Sequence, residues 1–164
     1  MKWIIIILVA LVALIAIVFL IGYFMPAKHQ AIVKETFKGV TPGRIWQAIT
    51  TAKDYTNWRT DLKNLEVVDS MHWKETSEHG DVIDYEGQVV KEAEVFMTRI
   101  MTKDLPFGGS WTFELKPSGE DTELTITENG EVYNPLYRFM SRFIFGHDTT
   151  LKKYMKNLGD QLAK

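Results

Sequence analysis

The sequence predicts an α+β fold: a curved antiparallel sheet of six to seven strands, covered by one long C-terminal helix and preceded by a single transmembrane helix. Three observations predict it. Trp3 to Met25 is an uncharged apolar run. From His29 to Tyr133, apart from one helical interval, apolar and polar residues alternate in short segments parted by turn residues. From Asn134 to Leu162 apolar residues recur at helical spacing.

The first element is "WIIIILVALVALIAIVFLIGYFM", 23 residues. At ~1.5 Å per residue it spans roughly 35 Å, against a hydrocarbon core of ~30 Å. Trp3 and Tyr23 stand near its ends, where amphipathic rings favour the interface. A cleaved signal peptide would carry a shorter apolar stretch and a small-residue cleavage site, and "GYFMPAKHQA" offers none. The expected organisation is therefore an anchor over residues 1–27 and a folded domain over residues 28–164, a single-pass membrane protein. Lys2 and the α-amino group flank one side of the run, and Lys28, Lys34 and Lys38 the other. The literal positive-inside count puts the domain in the cytoplasm, whereas a short N-terminal tail before a long apolar run suits a signal-anchor with the domain outside. The side of the membrane stays open.

After Pro26, "HQAIVKETFKG" alternates, with Ala31, Val33, Glu35 and Phe37 on one face, and reads as the first strand. "TPGRIWQAITTAKDYTNW" follows. Thr41 is a natural N-cap, Pro42 suits the first helical position, and Ile45, Ala48, Ile49 and Ala52 repeat at helical spacing. Asp54 is placed to cap a second short helix holding Tyr55 and Trp58. Five more strands are expected over 65–73, 82–90, 93–102, 110–116 and 122–133, with a seventh if 82–90 is bent or split. The turn-forming stretches "SEHG", "DLPFGG" and "KPSGED" lie between them. Asn134 and Pro135 open the last helix, in which Leu136, Phe139, Met140, Phe143 and Ile144 make one stripe. The stripe resumes beyond Gly146 with Leu151, Tyr154, Met155, Leu158 and Leu162, so one helix kinked at Gly146 is expected to cover the sheet.

Composition removes several functions. Net charge is −2, which gives no basic field for nucleic acid. Without cysteine there is no disulfide, thiol nucleophile or cysteine-ligated metal. His29, His72 and His79 show no ligand spacing, so no metal is expected, and binding by burial of apolar surface would call for no organic cofactor.

The chain resembles the SRPBCC (START-like, Bet v 1-like) superfamily, and within it the bacterial polyketide cyclase/dehydrase and lipid-transport group. The residues that carry the resemblance are "TPGRIWQAI", "DYTNW", "LPFGGSW", "TELTITENGEV" and "NPLYRFMSRFIFGHD" in that order, over roughly 28–164. The resemblance implies a helix-grip fold, in which a seven-stranded sheet wraps the C-terminal helix around an internal hydrophobic pocket. It implies a lipid, sterol, polyketide or similar apolar ligand, with catalysis in some members, and it transfers no catalytic residue.

The candidate pocket residues are Tyr55 and Trp58, Phe96, Trp111, Phe113 and Ile126 from the strands, and Phe139, Met140 and Phe143 from the helix. The alternative for all of them is a filled core. Glu128 follows Leu124 and Ile126 on the inward face, where it would serve as a polar anchor or as a general base with a raised pKa, paired with Arg142, Arg99 or His147. If the strand ends at Asn129-Gly130, Glu128 stands at the solvated rim instead. His147 is in phase with the helix stripe and reads either as a cavity acid/base or as a local partner of Asp148. Gly108-Gly109 read as a tight hairpin turn or as a gate that Phe107 plugs. The expected function is a membrane-anchored protein that binds a hydrophobic small molecule or lipid. The alternatives are a cyclase or dehydratase using Glu128, His147 or a tyrosine, and an interaction module with a filled core.

Overall fold

The structure is a computed structural model that describes residues Lys2–Lys164. Helix α1 (Lys2–Phe24) is followed by β1 (Lys28–Phe37), α2 (Pro42–Thr50) and a 3-10 turn (Ala52–Asn57). The strands β2 (Leu62–Val67), β3 (His72–Ser77), β4 (Val82–Lys91), β5 (Val95–Ile100), β6 (Phe107–Ser118) and β7 (Asp121–Val132) come next. The chain closes with α3 (Pro135–Met140), a π turn (Ser141–Phe145) and α4 (Thr149–Leu162). All seven strands form one antiparallel sheet in the order β1-β7-β6-β5-β4-β3-β2. This is the α+β helix-grip architecture.

The seventh strand does not come from a break in 82–90, which runs unbroken as β4 apart from a register shift between Val89 and Lys91. It comes from 65–73, expected as one strand. The Asp69 carboxylate accepts the N–H groups of Met71 (2.8 Å) and His72 (2.9 Å), and that side-chain turn folds β2 back into β3. Gly108 and Gly109 do not form a turn. They lie inside β6, and a Cβ on Gly109, whose φ is +139°, would collide with the Asn129 carbonyl of β7. The turn chemistry falls earlier, before Phe107. Pro42 and Pro135 each occupy the first turn of a helix as expected. The Asn134 side chain caps α3 by accepting the Leu136 N–H, whereas the Thr41 hydroxyl makes no cap bond and Asp54 lies within the 3-10 turn.

The covering helix departs most from expectation. Gly146 (φ +77°) and the π turn break it, so that only α4 lies on the sheet. Its Leu151, Tyr154, Met155, Leu158 and Leu162 are buried, at the i, i+3, i+4, i+7 spacing of a single face. No residue of α3 or the π turn is buried, and α3 packs beside α1 instead.

The core is uneven along the strands. At the end where β1 finishes and β7 begins, Phe37, Leu115, Leu124 and Phe96 pack with Ile45 and Ile49 of α2 and Leu158 of α4. Each such side chain, fully buried, stabilises the fold by about 1.5–3 kcal/mol. That half holds the domain together. The other half, where α1 joins β1, is hollow.

Candidate functional site

The hollow is a cavity of about 630 Å³ between the sheet and the start of α4. That volume lies inside the ~300–1,000 Å³ usual for small-molecule sites. β1, β5, β6 and β7 contribute to it mainly from the end nearest α1, through His29, Thr98 and Ile100, Phe107 to Trp111, and Glu128, Glu131 and Val132, whereas β3 contributes along its length from Trp73 to Ser77. Trp111, Phe113, Ile83 and Met140 supply apolar wall. Ionisable groups gather at two places in it.

The first place is the end nearest α1. Strand parity turns Glu128 inward with Leu124 and Ile126, and β7 continues through Asn129-Gly130 to Val132, so Glu128 is not at a strand end. Its side chain keeps 19% of its exposure. Burial pushes its pKa up to about 7, partly offset by the indole of Trp111, its cross-strand neighbour. Its partner is none of the three expected residues but His29, whose Nε2 lies 3.3 Å from Oε1. The His29 ring stacks on His147 with centroids 4.0 Å apart. Burial lowers the pKa of His29, and burial followed by the neighbouring His29 and Arg142 lowers that of His147. At that distance Glu128 and His29 would count as an ion pair, but both shifts favour the neutral forms and weaken the contact as an ion pair, leaving a hydrogen bond.

The second place is deep. Arg59 follows the 3-10 turn and donates from Nη1 to Glu75 (2.7 Å) and from Nη2 to Asp61 (2.6 Å). Its guanidinium carbon lies 5.4 Å from the ring centres of both Tyr55 and Tyr154. Burial opposes its charge, yet Glu75 and Asp61 hold it protonated. The Trp73 indole donates to Glu75 at 2.9 Å. Tyr55 donates to the Ile49 carbonyl, whereas the buried Tyr154 hydroxyl has no partner. Burial raises the pKa of both tyrosines, so both remain phenols.

Of the residues singled out in the sequence, Tyr55, Trp111, Phe113, Glu128, Met140 and His147 line this one cavity. The other five do not. Trp58 is buried behind Tyr55 and Tyr154, edge-on to both. Phe96 and Ile126 belong to the packed half of the core. Phe139 packs against Phe143 with tilted rings 4.9 Å apart between centroids, and Phe143 is 62% exposed, because α3 has left the sheet. His29, Arg59, Glu75 and Tyr154 line the cavity without having been singled out. The parity of β1 (His29 with Ala31 and Val33) was a usable signal, and Tyr154 stood on the expected stripe. Arg59 sits in a connection, where no period applies. Among the described residues, no three His, Asp or Glu side chains come together to hold a metal ion.

A comparison with curated proteins gave no match. Solved structures of low identity share the fold. A START superfamily protein from Mycobacterium smegmatis is 15% identical, with a TM-score of 0.65 over 83% of this chain and 97% of its own. A conserved protein from Geobacillus kaustophilus is 17% identical, with a TM-score of 0.69 over 82% and 95%. Norcoclaurine synthase from Thalictrum flavum, in complex with dopamine and hydroxybenzaldehyde, is 11% identical, with a TM-score of 0.63 over 84% and 88%. The family model described as Activator of Hsp90 ATPase homolog 1-like protein matches residues 39–161, most of the folded part. The chain therefore belongs to the Activator of Hsp90 ATPase homolog 1-like family, within the START-like (SRPBCC) superfamily.

Proposed function

We propose that this protein binds a hydrophobic small molecule, lipid or lipid-like, in the cavity between its sheet and α4, and that α1 anchors it in a membrane. The carrying observation is the cavity itself: about 630 Å³, largely apolar in its walls, in a fold whose other half is tightly packed. Binding would be driven by removal of apolar ligand surface from water, at about 25 cal/mol per Å². The Tyr154 hydroxyl would meet an acceptor deep in the cavity, and Glu128 with His29 would meet a polar group nearer α1. An anchored pocket faces a high local concentration of any membrane-derived ligand. The length and composition of α1 support the anchor. The family description names an activator of an ATPase, yet the hollow half of this domain favours a small molecule over a purely protein-facing role, and it argues against the filled-core module.

The test is solvent extraction and mass spectrometry of the full chain purified in mild detergent. We expect a stoichiometric apolar molecule, absent from a Thr98→Phe variant whose added ring fills the cavity. An empty wild-type protein that also takes up no fluorescent fatty-acid or sterol probe would sink the reading.

A second reading has one observation in its favour. Glu128, held near neutrality beside His29, has the properties of a general acid or base. Norcoclaurine synthase, similar in fold, is a synthase seen with dopamine and hydroxybenzaldehyde. Proton transfer to or from a bound substrate, with Glu128 as the titrating group, is the chemistry this chain would perform. Turnover lost in Glu128→Gln with binding retained would establish it.

A further inference from the structure

The segment Pro135–Phe145 lies outside the core and is apolar over most of its surface. Phe143 and Ile144 are each 62% exposed and Phe145 is 58% exposed. Leu136 and Tyr137 are exposed beside them, as is Tyr133 just before the segment. Together they make an unpartnered apolar ridge far from the sheet's packed half.

Three observations say what covers it. The ridge is continuous with α1: the Pro135 carbonyl rests directly on Gly22, where a Cβ would collide with it, and Arg138 Nη1 donates to the Met25 carbonyl at 3.2 Å. Gly22 stands only two residues before the end of α1, so Pro135 is level with the last turn of a helix that spans roughly 35 Å at ~1.5 Å per residue. That is the depth at which a bilayer core gives way to its interface. The second observation is composition. Residues 133–146 hold five aromatic side chains and two arginines and no acidic residue, the pattern of a segment seated among headgroups. The third is location, because Tyr137, Met140 and Phe145 also line the cavity.

We propose that Pro135–Phe145 is seated in the interface of the bilayer that α1 crosses, so that the cavity wall formed by Tyr137, Met140 and Phe145 faces lipid and not bulk water. The inference rests on the anchored reading of α1. Ligand then enters from the acyl region along Tyr137 and Phe145 without crossing an aqueous gap. The exposed Arg142 meets the phosphate layer.

The chain has no cysteine, so single cysteines can be placed freely. The full chain is reconstituted in phosphatidylcholine/phosphatidylglycerol vesicles with a bimane label at one of four positions: Leu14→Cys in mid-α1, Tyr137→Cys and Ile144→Cys on the segment, and Val90→Cys at the packed end of the sheet. All four side chains are partly or fully exposed, and an unchanged unfolding temperature confirms each fold. Quenching by brominated-acyl phospholipid is then compared with quenching by aqueous iodide. We expect strong lipid quenching at Leu14, lipid quenching several-fold above that of Val90 at Tyr137 and Ile144, and iodide quenching alone at Val90. Lipid quenching at Leu14 with iodide quenching at Tyr137 and Ile144 would overturn the inference and leave the anchor standing. Segment labels shielded from both quenchers would mean that protein, such as a second copy of the chain, covers the ridge, and would overturn it equally. Loss of lipid quenching at Leu14 would overturn the anchored reading itself, and this inference with it.

Discussion

The ring of His29 stacks on that of His147, 4.0 Å between centroids, while its Nε2 reaches Glu128 at 3.3 Å. Two elements distant in sequence, β1 and the turn into α4, are thereby closed over a carboxyl group of β7. Burial raises the pKa of Glu128 to about 7, so the cluster exchanges a proton close to neutral pH.

A raised carboxyl pKa makes stability depend on pH. The folded state keeps a proton that the unfolded chain releases from about pH 4.5 upward, so stability falls as pH rises from there to about 7 and is then level. The full cost above pH 7 is roughly 3 kcal/mol at ~1.4 kcal/mol per pH unit. Glu128→Gln removes it. The variant is expected to melt higher than wild type at pH 8 and alike at pH 4.5. An identical melting difference at both pH values would show that Glu128 is not desolvated.

Arg59, Glu75 and Asp61 form a buried charged cluster in which each charge depends on the others. Arg59→Met leaves Glu75 and its Trp73 donor in an apolar setting, and is expected to cost about 3–5 kcal/mol in urea denaturation. Arg59→Met combined with Glu75→Met is expected to recover most of that loss. A double variant no better than the single one would mean that the arginine acts through packing on Tyr55 and Tyr154.

Tyr154 holds a buried hydroxyl with no acceptor. Tyr154→Phe is expected to raise the stability of the empty protein by about 1 kcal/mol, since an unpaired polar group is removed. The same change should weaken any ligand that presents an acceptor there, by about tenfold for a net bond of ~1.4 kcal/mol. Stability and affinity moving in opposite directions is the signature to measure, by thermal unfolding and probe titration. A fall in stability would mean that the hydroxyl has a partner after all.

At Gly22 any side chain would press on the Pro135 carbonyl. Gly22→Val is expected to part α3 from α1 while the packed core is untouched. Amide exchange should quicken over 134–146 and stay unchanged over α2 and the β6-β7 hairpin. Unchanged exchange at 134–146 would show that the two elements are not coupled there.

Much of the sheet was legible because its inward residues alternate with polar ones, as Trp111, Phe113 and Leu115 do in β6 and Leu124, Ile126 and Glu128 in β7. The β2-β3 turn was not, because Val67 and Val68 run into it without glycine or proline and a single aspartate makes the turn. The helical stripe of 136–144 is apolar as its period says, yet of its residues only Met140 lines the cavity beside the sheet. Periodicity says that a face avoids water; it does not say what covers that face. Leu151 to Leu162 show the same period, and there the sheet is the cover. In the site, Glu128 and its inward direction followed from parity, whereas its partner His29 required the register of β1 on β7, which pairs Ala31 with Glu128. Arg59 was beyond reach because nothing periodic governs a connection.

Only Met25, Pro26 and Ala27 separate α1 from β1. Three residues reach at most about 11 Å fully extended, and the Arg138 bond to the Met25 carbonyl shortens even that slack. With α1 in a bilayer, the domain has no leash on which to travel. It cannot ferry cargo between two facing membranes in the manner of a free or long-tethered carrier. On the proposed reading, a ligand would be loaded and released beside that one bilayer.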